Sequence, residues 1–329
     1  MTLLFDKSGS IASPELAPLG FEDSDSRAGG DAPVIEIGLV NNMSDAALRA
    51  TERQFARLLD AGSNGRRVRL HCLALPSIVR SPAARHRIDS LYTDIADLGR
   101  IKLDGLIVTG AEPRTADLRD EPYWRDMTAL IDWAESNTRS TIWSCLAAHA
   151  AVLHQSGIER RRLPYKCSGV YEGLRLGDDP LLIGLPDRVT VPHSRYNDLA
   201  CEDLLRSGYQ VLTSSGAGVD IFVRQGSSRF VFLQGHPEYD ATTLQREYLR
   251  DVGRYLTGEQ AEFPDVPLDY FCAATERNLM AFRAAAQASR EPGMIAKLPR
   301  LSLRACLAAA IESSAAALFS NWVATLARD

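Results

Sequence analysis

The chain has 329 residues, 45% of them hydrophobic and 24% charged, enough to bury one large α/β core or two modest ones. A formal net charge of −5, with no basic stretch interleaved with aromatics, argues against nucleic-acid binding and leaves small molecules as the expected partners. Six cysteines without CxxC spacing suggest neither a metal site nor a disulfide framework, and Met1–Lys7 lacks the basic-then-apolar order of a signal peptide, so a soluble cytoplasmic protein with no membrane association is expected.

Residues 1–32 are rich in Ser, Gly, Pro and Asp without an apolar period and read as a flexible or loosely docked arm. The folded domain is expected over 33–258. Val34–Val40 is a buried strand, and Asp45–Leu59 carries apolar residues at helical spacing. A second strand at Val68–Leu73 and a second helix at Ile88–Leu98 follow, then a third strand, Leu103–Val108, running into Thr109-Gly110-Ala111. Glu121–Ser136 reads as a helix, Thr141–Ser144 as a strand, and Leu146–Gln155 as an Ala-rich helix. Strand and helix alternating at this interval predict an α/β fold with a doubly wound, mostly parallel sheet.

After Gly157 the strands become shorter, near Ser168–Tyr171, Arg188–Val191, Gln210–Thr213, Val219–Val223 and Phe230–Leu233, several of them antiparallel, and a helix at Thr242–Leu256 closes the domain. Residues 259–329 form a C-terminal extension with a linker-like Phe263–Pro267 and helices at Tyr270–Ala288 and Leu301–Ala327. The last segment is apolar, yet Arg304 and Glu312 interrupt it, which favours a packing or dimer helix over a membrane span.

Two places in this pattern carry chemistry. Cys145 stands where a run of β-formers meets the Ala-rich helix, a sharp strand-to-helix turn at which a helix N-terminus favours the thiolate. His236-Pro237-Glu238 follows the apolar run Phe230–Leu233, and i, i+2 spacing in extended chain puts His236 and Glu238 on one side. A lone cysteine is more often a small core residue, and His-Pro-Glu is also an acceptable helix entry. Both pieces, however, sit at C-terminal strand ends, where open α/β sheets hold their sites, and together they read as nucleophile, base and orienter.

Further segments are collinear with these: Val40-Asn41-Asn42-Met43, Asp104 to Ala111, Tyr123-Trp124, Leu163-Pro164-Tyr165-Lys166, Pro192-His193-Ser194-Arg195-Tyr196, Gly235 to Asp240 and Arg250-Asp251-Val252. In this order, with Cys145, they resemble the homoserine O-acyltransferase family of methionine biosynthesis over about residues 34–257. The resemblance implies a class I glutamine amidotransferase-like fold and acyl transfer from coenzyme A, through a cysteine thioester, to the hydroxyl of L-homoserine. It also implies a homodimer, acyl-CoA as co-substrate and no cofactor. By the same likeness Arg250 pairs with the homoserine carboxylate, and Lys166 and Ser194 line the acyl and substrate pocket. For the tetrahedral intermediates, the residues themselves suggest the backbone N–H of Leu146 and one from the turn containing Gly110 and Ala111 as oxyanion donors.

Three departures from the family pattern stand out. Met43 is followed by Ser44-Asp45-Ala46 where many members have Pro-Lys-Lys, and Cys145-Leu146-Ala147-Ala148-His149-Ala150 replaces Cys-Trp-Gly-Ala-Gln-Ala. His149 then reads as a helix-surface or core residue rather than a second base. Arg114 occupies the position that the family's acyl preference implicates, where glycine goes with succinyl and glutamate with acetyl transfer. A guanidinium there favours a succinyl carboxylate, unless it pairs with Glu112, Asp117 or the CoA phosphates. Two alternatives remain: an amidotransferase-type hydrolase using the same three side chains, although Trp143-Ser144-Cys145-Leu146-Ala147 lacks that class's Gly-x-Cys-x-Gly, and a non-catalytic metabolite-binding relative.

Overall fold

A computed structural model of the chain describes residues 3–5 and 33–327. Its centre is a ten-stranded sheet in the order β1-β3-β2-β4-β5-β10-β9-β8-β6-β7. The parallel part comprises β1 (Leu3–Phe5), β3 (Arg67–Leu73), β2 (Val34–Val40), β4 (Gly105–Val108), β5 (Ser140–Ser144) and β10 (Arg229–Leu233). Beyond β10 the sheet turns antiparallel through β9 (Gly218–Gln225), β8 (Gln210–Ser215), β6 (Arg161–Arg175) and β7 (Arg188–Asp198). The expected α/β sheet, with its antiparallel later strands, is what the chain builds. Of the expected N-terminal arm, Leu3–Phe5 adds an edge strand beside β3, and residues 6–32 lie outside the described residues.

Strands buried on both faces read as continuous apolar runs, and the pleat sorts each run onto two layers. Phe230 and Phe232 of β10 face the layer made by α3 (Trp124–Asn137) and α4 (Leu146–Ser156). Val231 and Leu233 face the opposite layer, where α1 (Leu48–Gly62) lies beside α8 (Leu307–Leu326). The C-terminal helix is therefore part of the main core. Leu318, Phe319, Trp322, Val323 and Leu326 are all buried against the sheet, each contributing about 1.5–3 kcal/mol by removal from water. A Cβ on Gly62 would lie 2.9 Å from the Phe319 backbone carbon, so α1 and α8 meet almost backbone to backbone. Among the described residues no helix is long and apolar enough to cross a membrane. A third cluster joins α6 (Thr243–Thr257) and α7 (Ala273–Ala288).

Several boundaries differ from expectation. The helix expected over Ile88–Leu98 is α2 (Pro82–Leu91), capped by the Ser81 side chain and started by Pro82, followed by a 3₁₀ turn at Ile95–Gly99. Tyr92 leaves the helix in an extended conformation because its hydroxyl bonds Glu52 at 2.7 Å and accepts from Asn41 at 3.0 Å. The last two helices start later than their apolar pattern suggests, since Phe271 and Leu303 form a β-bridge instead. β6 and β7 extend well beyond the expected short strands, with a register shift between Arg162 and Cys167.

Candidate active site

Parallel neighbours β5 and β10 end side by side, and the Cys145 amide donates to the Leu233 carbonyl at 2.7 Å, so the thiol and the His236 loop emerge at one place. Cys145 has φ 53° and ψ −112°, a strained conformation for a residue with a Cβ, and α4 starts at the next residue. Strain of this kind persists only where the surroundings impose it; here it holds the thiol at the positive end of an eleven-residue helix. Buried Ala147, Ala148, Ala150 and Ala151 let that helix pack closely on its layer.

The Cys145 sulfur lies beside the imidazole of His236 and acts on its charge. On the other side of the ring, Nδ1 lies 2.8 Å from Glu238 Oε1, which also accepts from the Ser144 hydroxyl at 3.3 Å. A carboxylate accepts only, so Nδ1 carries the hydrogen and Nε2 faces sulfur. His236 and Glu238 are both buried, and the His236 amide donates to the Pro192 carbonyl at 2.7 Å. Burial opposes protonation of this imidazole, but Glu238 and the Cys145 sulfur outweigh it and hold the pKa of His236 well above its ordinary value. The fold thus brings the three expected residues together, with Glu238 bonded to His236 and Cys145 beside the ring.

The turn at the end of β4 closes on this elbow. Asn42 fixes it, donating from its amide to Thr109 Oγ1 at 2.8 Å and from its side chain to the Thr109 carbonyl at 3.2 Å. A Cβ on Gly110 would lie 2.9 Å from Leu146 Cβ and 3.1 Å from the Leu146 nitrogen, so only glycine allows the turn this close to the helix start. The Gly110 turn is thereby brought against Leu146, the residue that follows Cys145.

A second cluster lies on α6 and β6. Asp251, its side chain 5% exposed, receives Lys166 Nζ at 2.7 Å and Arg250 Nε at 3.0 Å. Burial raises the pKa of Asp251, but Lys166 and Arg250 more than offset this and keep it below the ordinary carboxylate value. Arg250 stays half exposed, and Glu247, one turn earlier on α6, contributes to holding its charge. The second oxygen of Glu247 is buried without a partner among the described residues, and the first accepts from the Tyr239 hydroxyl at 2.8 Å. Ser194 sits on β7 opposite Ser168, two residues beyond Pro192. Arg114 is exposed; Glu112 pairs with Arg254 at 3.9 Å and Asp117 with Arg119 at 2.9 Å, so neither neighbouring acid takes its side chain.

His149 is a core residue. Gln234 Oε1 accepts from both its Nε2, at 2.9 Å, and the Leu199 amide, and burial pushes the His149 pKa down to about 3. Beside Met43, where the family lysines are missing, a buried arginine from a distant segment appears: Arg80 donates to the carbonyls of Met43 and Asn41. Sequence reasoning missed Tyr239, Glu247 and Asp251 as site residues. Their signals were adjacency to His236-Pro237-Glu238 and the i, i+3 spacing of Glu247 and Arg250 on one helix face.

A sequence profile of homoserine O-succinyltransferases matches residues 21–328, so the likeness does not stop near 257 but takes in the C-terminal helices and part of the arm. The chain is 65% identical to a homoserine O-succinyltransferase of Rhodopseudomonas palustris, covering 100% of both chains. It is 53% identical to one of Bradyrhizobium japonicum, covering 99% of both. Among solved structures, a glutamine amidotransferase from Methylobacillus flagellatus shares the fold with a TM-score of 0.51, at 17% identity, over 91% of this chain and 97% of the other.

Proposed function

The chain belongs to the homoserine O-succinyltransferase family, and from that premise we propose that it carries a succinyl group from succinyl-CoA to the hydroxyl of L-homoserine, in methionine biosynthesis, as a thioester on Cys145. The mechanism is supported by the convergence of Cys145, at a helix N-terminus, with His236 and the Glu238 carboxylate bonded to its Nδ1.

The cycle is ping-pong. The Cys145 thiolate attacks the acyl-CoA carbonyl, and the oxyanion accepts from the Leu146 N–H and a donor of the Gly110-Ala111 turn. The intermediate collapses, the C–S bond to coenzyme A breaks, and its thiolate takes the proton from the His236 imidazolium. Homoserine then enters; neutral His236 removes its hydroxyl proton as the oxygen attacks the thioester, and the Cys145 thiolate leaves beside the restored imidazolium. Glu238 fixes the tautomer and steadies the charged ring throughout.

Arg250 and Glu247, one turn apart, suit the carboxylate and ammonium of an amino acid, and Glu247 keeps one oxygen unpaired for that purpose. Lys166 and Ser194 line the same side, and Arg114, unclaimed by its acidic neighbours, receives the distal succinyl carboxylate. The donor is a co-substrate, and no further cofactor enters the cycle. Six free thiols support a reducing, cytoplasmic setting, and the assembly is a homodimer, tested by mass in solution. The deciding experiment is intact mass after mixing with succinyl-CoA alone. A succinyl adduct should form, disappear in Cys145→Ala and discharge on addition of L-homoserine but not L-serine; absence of the adduct defeats the proposal.

A further inference from the structure

The loop between β4 and α3, residues 110–117, carries the oxyanion turn at one end and Arg114 at its exposed crown. Its conformation depends on two side chains that the site description does not use. Glu121, buried, accepts through one oxygen from the Arg114 amide at 2.6 Å, the Thr115 amide at 2.7 Å and the Thr115 hydroxyl at 2.8 Å. Arg160, just ahead of β6, donates to the carbonyls of Thr115 and Ala116 at 3.2 and 3.0 Å. Two charged groups from separate elements thus grip the consecutive peptides on either side of Arg114 and on to Ala116.

A clamp selected for stability alone would satisfy its own polar atoms, because each buried group left unpaired is costly. This one does not. The second oxygen of Glu121, the Tyr123 hydroxyl and Arg160 Nη1 are all buried without a partner among the described residues. The three groups lie near one another, for Glu121 and Arg160 both act on Tyr123. Such tolerated defects belong to functional sites, where a fixed loop conformation matters more than the stability given up.

We propose that Glu121, with Arg160, is a positioning residue for acyl-donor selection: it fixes the backbone on which Arg114 stands, so that the guanidinium meets a dicarboxylic acyl group. This rests on the thioester mechanism above. The side chain of Arg114 is long and exposed, and a mobile loop would spread it over many positions, losing the preorganisation on which selection of one acyl group depends.

The test measures the rate of Cys145 acylation by succinyl-CoA and by acetyl-CoA, and the discharge of preformed acyl-enzyme by L-homoserine. Glu121→Ala should lower the succinyl-to-acetyl ratio of acylation kcat/KM about tenfold, the scale of one charge-assisted contact. Discharge should remain unchanged, and Glu121→Gln, which keeps an accepting oxygen, should recover most of the ratio. In an Arg114→Ala background, Glu121→Ala should change the ratio no further. Arg160→Met, which removes the other arm, should act in the same direction if Glu121→Ala folds poorly. An unchanged ratio, or equal losses with both donors and in discharge, overturns the inference while the thioester stands. A wild-type protein that accepts no acyl group from either donor overturns the thioester mechanism, and the inference with it.

Discussion

The ring of Tyr239 stacks on the imidazole of His236, centroids 4.2 Å apart and planes 14° from parallel, while its hydroxyl bonds Glu247. One side chain thus joins the imidazole proposed as base to the acid proposed to face the amino-acid substrate. Tyr239→Phe keeps the stack and breaks the link, so KM for homoserine should rise with acylation by succinyl-CoA intact. Tyr239→Leu removes the flat wall as well and should slow both half-reactions, by up to about a hundredfold if the ring tilts out of line. Single-turnover kinetics separates the two; equal effects from both variants would refute this division of roles.

Glu238 sets the pH at which the base works. In the acyl-enzyme the imidazole must be neutral, so discharge speeds up with rising pH as His236 loses its proton. Glu238 helps to hold that proton on, so its charge sets the limb higher than it would lie without it. Glu238→Gln removes the charge, and the limb should move to lower pH by about one to three units. The plateau should also fall, by about 10²–10⁴-fold, as the ring loses its fixed tautomer. Discharge rates of preformed acyl-enzyme across pH would show it, and a limb that stays in place or moves up contradicts the assignment.

Asp251 anchors Lys166 and Arg250, the two cations proposed to meet the substrates. Its pKa is depressed in the folded chain, so its ion pairs stabilise the fold above the ordinary carboxylate range, and that contribution is lost as pH falls through the depressed value. Asp251→Asn should cost about 1–3 kcal/mol at neutral pH, a figure reduced by the half-exposed Arg250, and the loss should vanish in acid. Denaturant titrations at two pH values check this. A deficit that persists at low pH would mean that packing, not charge, is the cause.

The parallel half of the sheet was legible because strands such as Gly105–Val108, buried at every residue, read as unbroken apolar runs. The elbow was legible because thiol and imidazole sit at the ends of such strands. The helix over Pro82–Leu91 was obscured because among its residues only Ala84 is fully buried, which leaves little apolar period to read, and the Ser81-Pro82 start signal was outweighed by Ile88, Leu91 and Tyr92. Lys166 and Asp251 are 85 positions apart, as Arg160 is 45 from Thr115, and no local pattern announces partners that only the fold brings together.

The C-terminal helix exposes the same limit in its packing. A Cβ on Gly105 would lie 2.6 Å from Leu326 and 3.0 Å from the Trp322 ring, whose Nε1 donates to Ser140. Gly105→Ala should therefore destabilise by about 1–3 kcal/mol through overpacking. Trp322→Ala should cost about 3–5 kcal/mol through the cavity it leaves. Removal of residues after about 260 should prevent folding altogether, because it uncovers the part of that sheet face on which α8 packs beside α1. A soluble, cooperatively melting truncation would show that the sheet does not need α8.

Gly110→Ala isolates the oxyanion turn. The added methyl meets Leu146 at its Cβ and at the nitrogen expected to donate to the intermediate, and neither atom can yield without moving the start of α4. The backbone at Gly110 is not in the left-handed region, so alanine adds no conformational strain of its own, and the substitution acts through distance alone. A shift of a few tenths of an ångström separates the two donors while leaving Cys145, His236 and Glu238 in contact. Acylation and discharge should then both fall, by about 10²-fold, since each passes through a tetrahedral oxyanion. Overpacking should lower stability by about 1–3 kcal/mol, leaving the chain folded, and the thiol should still react with a simple alkylating agent at the wild-type rate. Loss of alkylation in step with acylation would place the damage in the nucleophile rather than in the oxyanion donors.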